Sequence, residues 1–117
     1  MEKQNVPFSS LDTPAILLDM EKLEANIKEM SQLAAEAGVR LRPHTKIHEC
    51  TGIAKLQIET GACGIEVGTV NRAVSMAESG IDDILIANPF YGSHKLEILA
   101  RLLGRPELKI TVLVDMI

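Results

Sequence analysis

No stretch of this chain approaches the run of about 18 apolar residues that a membrane-spanning helix requires. The opening MEKQNVPFSS has no apolar segment of the kind found in secretory leaders. Cysteine is scarce: Cys50 and Cys63 form neither a metal-ligand cluster nor a disulfide framework. Reduced thiols in a soluble, cytoplasmic chain are the expectation. Positive charge is also limited, with 12 Lys and Arg against 16 Asp and Glu and a net charge of -4. The basic residues are spread along the sequence, which excludes the electrostatic footprint of a nucleic-acid binder. Repeats, low-complexity tracts and inter-domain linkers are absent as well. With 117 residues, 46% of them hydrophobic, the chain can build one modest core and hardly more than one domain.

Apolar residues recur with a helical period in four places, and short apolar runs lie between them. Pro14 to Leu18 reads as a strand, and Asp19 as the cap of a helix burying Leu23, Ile27, Met30, Ala34 and Ala37. Gly38 ends that helix. A second helix is predicted from about Glu49 to Thr60, then a strand over Cys63 to Val67. A third helix, capped by Thr69, turns Val70, Ala73, Val74 and Ala77 inward. Asp83 leads into the apolar run ILIA, typical of a strand covered on both faces. A fourth helix is predicted with Ser93 as cap and Leu96, Leu99, Ala100 and Leu103 inward, then a last strand from Ile110 to Val114. Residues 1–10 read as a flexible lead-in and 11–117 as a single α/β domain. The order βαβαβαβαβ predicts parallel strands joined by helical crossovers.

The most informative stretch is Val39 to Cys50, VRLRPHTKIHEC. Its alternation makes a strand with Arg42, His44 and Lys46 on one side and Leu41, Pro43 and Thr45 on the other. Pro43 donates no ladder hydrogen bond and so belongs near a strand end. A row of three basic or titratable groups means little against solvent, but inside a barrel it needs a reason. Burial beside positive charge lowers a lysine pKa, and a lysine amine attacks a carbonyl only when unprotonated. Arg42 suits a carboxylate or phosphate and equally suits a structural pair with a carboxylate such as Glu66. His48 reads as an ordinary loop residue. Asn88 stands at a strand end, where a turn beside Pro89 also accounts for it.

Four segments occur in a recognisable order: LDTPAILLD from Leu11, RPHTK from Arg42, GACGIEV from Gly61 and GIDDILIAN from Gly80. Together they make the chain, from about Leu11 to its end, resemble the N-terminal part of the D-threonine aldolase and D-serine dehydratase group. These are pyridoxal-phosphate enzymes with an alanine-racemase-like barrel. The resemblance implies a partial (β/α)8 barrel, since a complete one takes roughly 250 residues, and about half of it is expected here. It also implies that Lys46 carries pyridoxal 5'-phosphate as a Schiff base. His44 is then a candidate catalytic residue and Arg42 a candidate cofactor-binding one. Many relatives have lysine after the second histidine, where this chain has Glu49.

The activity so implied is that of a lyase acting on D-amino acids, by retro-aldol cleavage or by elimination. The phosphate cradle of a barrel usually follows its last strands. Gly61, Gly64 and Gly68, spaced at three and four, do not supply one. Likewise no His, Cys and Asp cluster marks the divalent-metal site of the resembling enzymes. A half-barrel leaves strand edges uncovered, so a homo-oligomer or a missing C-terminal half is the expected partner. The alternatives are an inactive truncated fragment and a module that binds or carries pyridoxal phosphate without turnover.

Overall fold

A computed structural model describes residues 7–115. Phe8–Ser10 forms one 3-10 turn within the expected lead-in, of which residues 1–6 lie outside the described residues. Four helices and three strands follow: α1 (Met20–Glu36), α2 (Thr51–Glu59), β1 (Ile65–Val67), α3 (Val70–Glu78), β2 (Asp83–Ile86), α4 (Ser93–Leu103) and β3 (Lys109–Val112). The strands lie in the order β1-β2-β3, both pairings parallel, with Ile65 opposite Ile84 and Ile84 opposite Ile110.

Period-2 alternation decides which side of the sheet is the core. Ile65, Val67, Ile84 and Ile86 are fully buried, packed with Val70, Ala73, Met76 and Ala77 of α3, Ala54 of α2 and Leu102 of α4. Glu66 and Leu85, the alternate residues, face away and are only half-buried. One face of the sheet is therefore dry and helix-covered, and the other carries polar groups.

Local chemistry sets the helix boundaries. Asp19 Oδ1 accepts the amide N–H of Lys22 at 3.1 Å, and Thr69 Oγ1 accepts that of Arg72 at 3.3 Å, so both expected caps are present. Gly38 leaves α1 through the left-handed region, at φ 67°. At α4 the expected cap is displaced by one residue: Gly92 holds the cap position without a side-chain bond, and Ser93 is the first helical residue. The buried side of α4 is shifted too, since Leu102 is covered while Leu96 and Leu103 stay more than half exposed.

Five strands were expected, and the described residues form three. Pro14–Leu18 is not a strand; no described segment pairs with it, and Ile16 is fully exposed. The Val39–Lys46 strand is reduced to one bridge, His44 beside Glu66, because Pro43 offers no N–H to a ladder. The last strand stops at Val112, leaving Leu113 and Val114 exposed. The α1 stripe is likewise only partly used: Ile27 is buried, while Met30 is half exposed and Ala37 is exposed. Among the described residues no helix is long and apolar enough to cross a membrane.

Candidate functional site

Although too short in its ladder to count as a strand, the segment 41–45 is held firmly along β1. The Leu41 carbonyl accepts the Cys63 N–H at 2.9 Å, and the Pro43 carbonyl accepts the Glu66 N–H at 2.8 Å. The Glu66 carbonyl in turn accepts both the Thr45 N–H, at 2.9 Å, and the Thr45 hydroxyl, at 3.1 Å. Thr45 is thereby buried as the anchor of this segment. With His44 level with Glu66, Arg42 falls beside Gly64 at the N-terminal end of β1, and Lys46 follows Thr45 past its C-terminal end.

After Thr45 the chain turns, with the Glu49 N–H bonded to the Thr45 carbonyl at 2.7 Å. Glu49 itself adopts φ 44°, unusual for a residue with a side chain, and its carboxylate pairs with Arg72 in the first turn of α3. Lys46 thus lies in a turn fastened at both ends. Its side chain is exposed, so the sheltered amine expected from sequence is not provided by the described residues. Among them it also has no carboxylate partner within ion-pair distance.

His44 is joined to Lys46 through the backbone. Its Nδ1 accepts the Lys46 N–H at 3.0 Å, and its Nε2 lies 3.8 Å from Glu66 Oε1. Its ring also lies against Gly68, where a Cβ would sit 4.0 Å from Cε1. Beyond Gly68, the Asn88 side-chain amide donates to the Gly68 carbonyl at 3.0 Å and ties the ends of β1 and β2 together. A cleft of about 350 Å³ opens there, lined by Gly68, Thr69, Asn71, Asn88, Phe90 and Lys95 among others.

Arg42 is engaged elsewhere. It reaches under β1 to Asp83, with Nη2 2.7 Å from Oδ1, and Nη1 donates to the carbonyls of Ile65 and Asp83 at 3.3 and 3.2 Å. Lys109 closes the set from β3, with Nζ 2.9 Å from Asp83 Oδ2. Burial alone raises the Asp83 pKa, but hydrogen bonds and charge from Lys109 and Arg42 outweigh it and leave the carboxyl below its ordinary value. Gly64 makes room for this crossing; a Cβ there would collide with the Arg42 guanidinium and with the Asp83 backbone. The structural partner of Arg42 is therefore Asp83, two strands away, and not Glu66 on the neighbouring one.

His48 repeats the local bond of His44: its Nδ1 accepts the Cys50 N–H at 3.0 Å. Its Nε2 is buried without a partner, as is Gln57 Oε1. Burial lowers the His48 pKa, opposed by the nearby Gln57 side chain and by the Cys50 backbone. Among the described residues no group of three or more His, Cys, Asp and Glu is placed to hold a metal ion.

The structure thus brings His44 and Lys46 together at the C-terminal end of the sheet and leaves Arg42 at the other end. Sequence reasoning missed Asp83 and Thr45, the residues that fix Arg42 and the turn. The Glu66 carboxylate was legible from alternation, since it flanks Ile65 and Val67 on the opposite face, but its meeting with His44 needed the register. The parallel sheet with helices packed on it is of the α/β class, in which ligands bind outside the carboxyl ends of the strands, the end at which Lys46 lies.

The comparisons narrow that class. No protein-family model matches the chain. It is 40% identical over 109 residues to D-threonine aldolase from Arthrobacter sp, an alignment covering 93% of this chain and 28% of the relative. It is 41% identical over 78 residues to D-threo-3-hydroxyaspartate dehydratase from Delftia sp. (strain HT23), covering 67% of this chain and 20% of the relative. The crystal structure of D-threonine aldolase from Filomicrobium marinum superposes with a TM-score of 0.91 at 39% identity, covering 98% of this chain and 30% of that one. The chain is homologous to the N-terminal part of the D-threonine aldolase and D-serine dehydratase group, and spans less than a third of the length of these relatives.

Proposed function

We propose that this chain is the N-terminal portion of a pyridoxal-phosphate-dependent lyase acting on D-amino acids, with Lys46 as the residue that holds the cofactor. The sheet is read as about half of a (β/α)8 barrel, residues 11–117 being one unit of it. Its polar face becomes the barrel lumen, and β3 is the edge at which a second copy or further chain continues the sheet. The observation that carries the reading is the position of Lys46: an amine with no carboxylate partner among the described residues, in a fastened turn beyond the C-terminal end of β1, on a chain homologous to aldolases and dehydratases. That uncommitted amine fits covalent attachment of the cofactor aldehyde. Bound there, pyridoxal phosphate would supply an electron sink for the bond broken beside the substrate Cα.

The chain's own residues divide the remaining work. Thr45 pins the turn to β1, and His44 holds the Lys46 backbone through its Nδ1. His44 also stands nearest the lysine as a group able to hold a proton, and the Glu66 carboxylate faces its other nitrogen. Arg42 and Asp83 lock the opposite end of the sheet. For Arg42 the reading is therefore structural, because its guanidinium is occupied by one carboxylate and two carbonyls. Retro-aldol cleavage of a β-hydroxy D-amino acid and elimination from one are both within the chemistry of the relatives' names. The aldolase is the better match because its alignment covers more of this chain.

Titration with pyridoxal phosphate tests the reading. The native chain should develop a saturable yellow absorbance that Lys46→Ala abolishes, and Lys55→Ala and Lys95→Ala should retain it. Equal absorbance in the Lys46 variant would overturn it.

A further inference from the structure

We infer that Glu66 is a positioning residue for Lys46, acting through His44; the inference deepens the reading of Lys46 as the cofactor lysine and rests on it. Three observations carry it. First, His44 Nδ1 accepts the Lys46 N–H at 3.0 Å, which requires that nitrogen to be unprotonated and places the ring proton on Nε2. Second, Glu66 Oε1 lies 3.8 Å from Nε2, with both side chains about three-quarters buried. A carboxylate on that side favours the Nε2–H tautomer, because the N–H dipole points at the negative charge. Third, the Glu66 backbone brackets the same segment, taking the Thr45 N–H and hydroxyl on its carbonyl and donating its own N–H to Pro43.

The residue that holds the segment by its main chain thus also orients, by its side chain, the imidazole that holds the lysine. The arrangement is a short chain of contacts, carboxylate to ring to amide. At its end stands the residue whose placement matters most, since small displacements of a reacting group are costly. The alternative is a surface ion pair of little consequence. The same local Nδ1 bond recurs at His48, whose Nε2 has no partner, so the two readings are separated by whether the Glu66 carboxylate fixes the tautomer of His44.

Because the three bonds that Thr45 and Pro43 make to the Glu66 main chain do not involve the carboxylate, a side-chain substitution tests the relay alone. In Glu66→Ala, nitrogen NMR of the imidazole should show loss of the uniform Nε2–H tautomer of His44. The Lys46 amide should exchange roughly fivefold faster, the effect of losing one hydrogen bond of ordinary net strength. Glu66→Gln, whose amide oxygen still faces Nε2, should restore most of both. Borohydride trapping of pyridoxal phosphate on Lys46 should slow by a similar factor in Glu66→Ala and in His44→Ala, and no further in the double variant. An unchanged tautomer and exchange rate in Glu66→Ala, or additive losses in the double variant, would overturn the relay. The NMR measurements contain no cofactor, so a native chain that shows the tautomer but never traps pyridoxal phosphate refutes the reading of Lys46 and not the role of Glu66.

Discussion

Replacing Asp83 by alanine removes the carboxylate on which cations from two other segments converge, and its cost can be worked from their exposure. The Arg42–Asp83 pair is mostly buried, each side chain 18% exposed, whereas Lys109 is 63% exposed. Removing one partner of a fully buried pair costs about 3–5 kcal/mol because the other charge is left uncompensated. An exposed pair contributes about 0–1 kcal/mol. Arg42 would keep its two carbonyl acceptors, at 3.2 and 3.3 Å, which soften the loss. The expected destabilisation is therefore about 2–3 kcal/mol, nearly all from Arg42 and little from Lys109. Urea unfolding of Asp83→Ala, Arg42→Met and the double variant measures it, with the coupling between the two sites expected to exceed about 1 kcal/mol. A loss under about 0.5 kcal/mol in Asp83→Ala, the range of ordinary surface changes, would show that the guanidinium is solvated and the structural reading of Arg42 is wrong.

The same carboxyl sets an acid limit. Its pKa is lowered on folding, so it contributes stability above the ordinary carboxylate value, which is lost as pH falls toward the depressed one; the urea-unfolding stability of Asp83→Asn should depend less on pH in that window than that of the native chain, and an equal dependence would contradict the lowered pKa. Gly64→Ala should cost on the order of 1–3 kcal/mol in thermal or urea unfolding, from the crowding of Arg42 and the Asp83 backbone and from its φ of 151°; a neutral result would mean that the crossing of Arg42 under β1 is absent in solution. His48 should titrate below its ordinary 6.5 in proton NMR, because burial disfavours its charged form, and stability should fall as pH drops through that lowered value; a midpoint at or above 6.5 would contradict its buried Nε2.

What was legible in the sequence were the features that depend on near neighbours. The caps at Asp19 and Thr69 and the stop at Gly38 each follow from residues within a turn of one another, whereas the run Ile84–Ile86, expected to be covered on both faces, is dry on one face only, with Leu85 half-buried on the other. Pro14–Leu18 failed for the opposite reason. Its apolar run has the composition of a strand, but strand formation needs a partner edge, and none of the described segments offers one. The buried side of α4 drifted from Leu103 to Leu102 because the packing against α3, not the period alone, decides which residue is covered. At the site, the adjacency of His44 and Lys46 could be read from spacing, and the homology follows from segments already visible in the chain. The commitment of Arg42 to Asp83, 41 residues away in sequence, could not. Nor could the exposure of Lys46, since the row of three groups on one face ends where the chain turns after Thr45.

Peptide mapping tests most directly the claim that the amine of Lys46 is the one that holds the cofactor aldehyde. After incubation with pyridoxal phosphate and borohydride reduction, digestion and mass spectrometry should find the pyridoxyl mass predominantly on the peptide containing Lys46, at a stoichiometry approaching one per chain. A label spread over Lys55, Lys95 and the other exposed lysines in proportion to their accessibility, with no preference for Lys46, would contradict it.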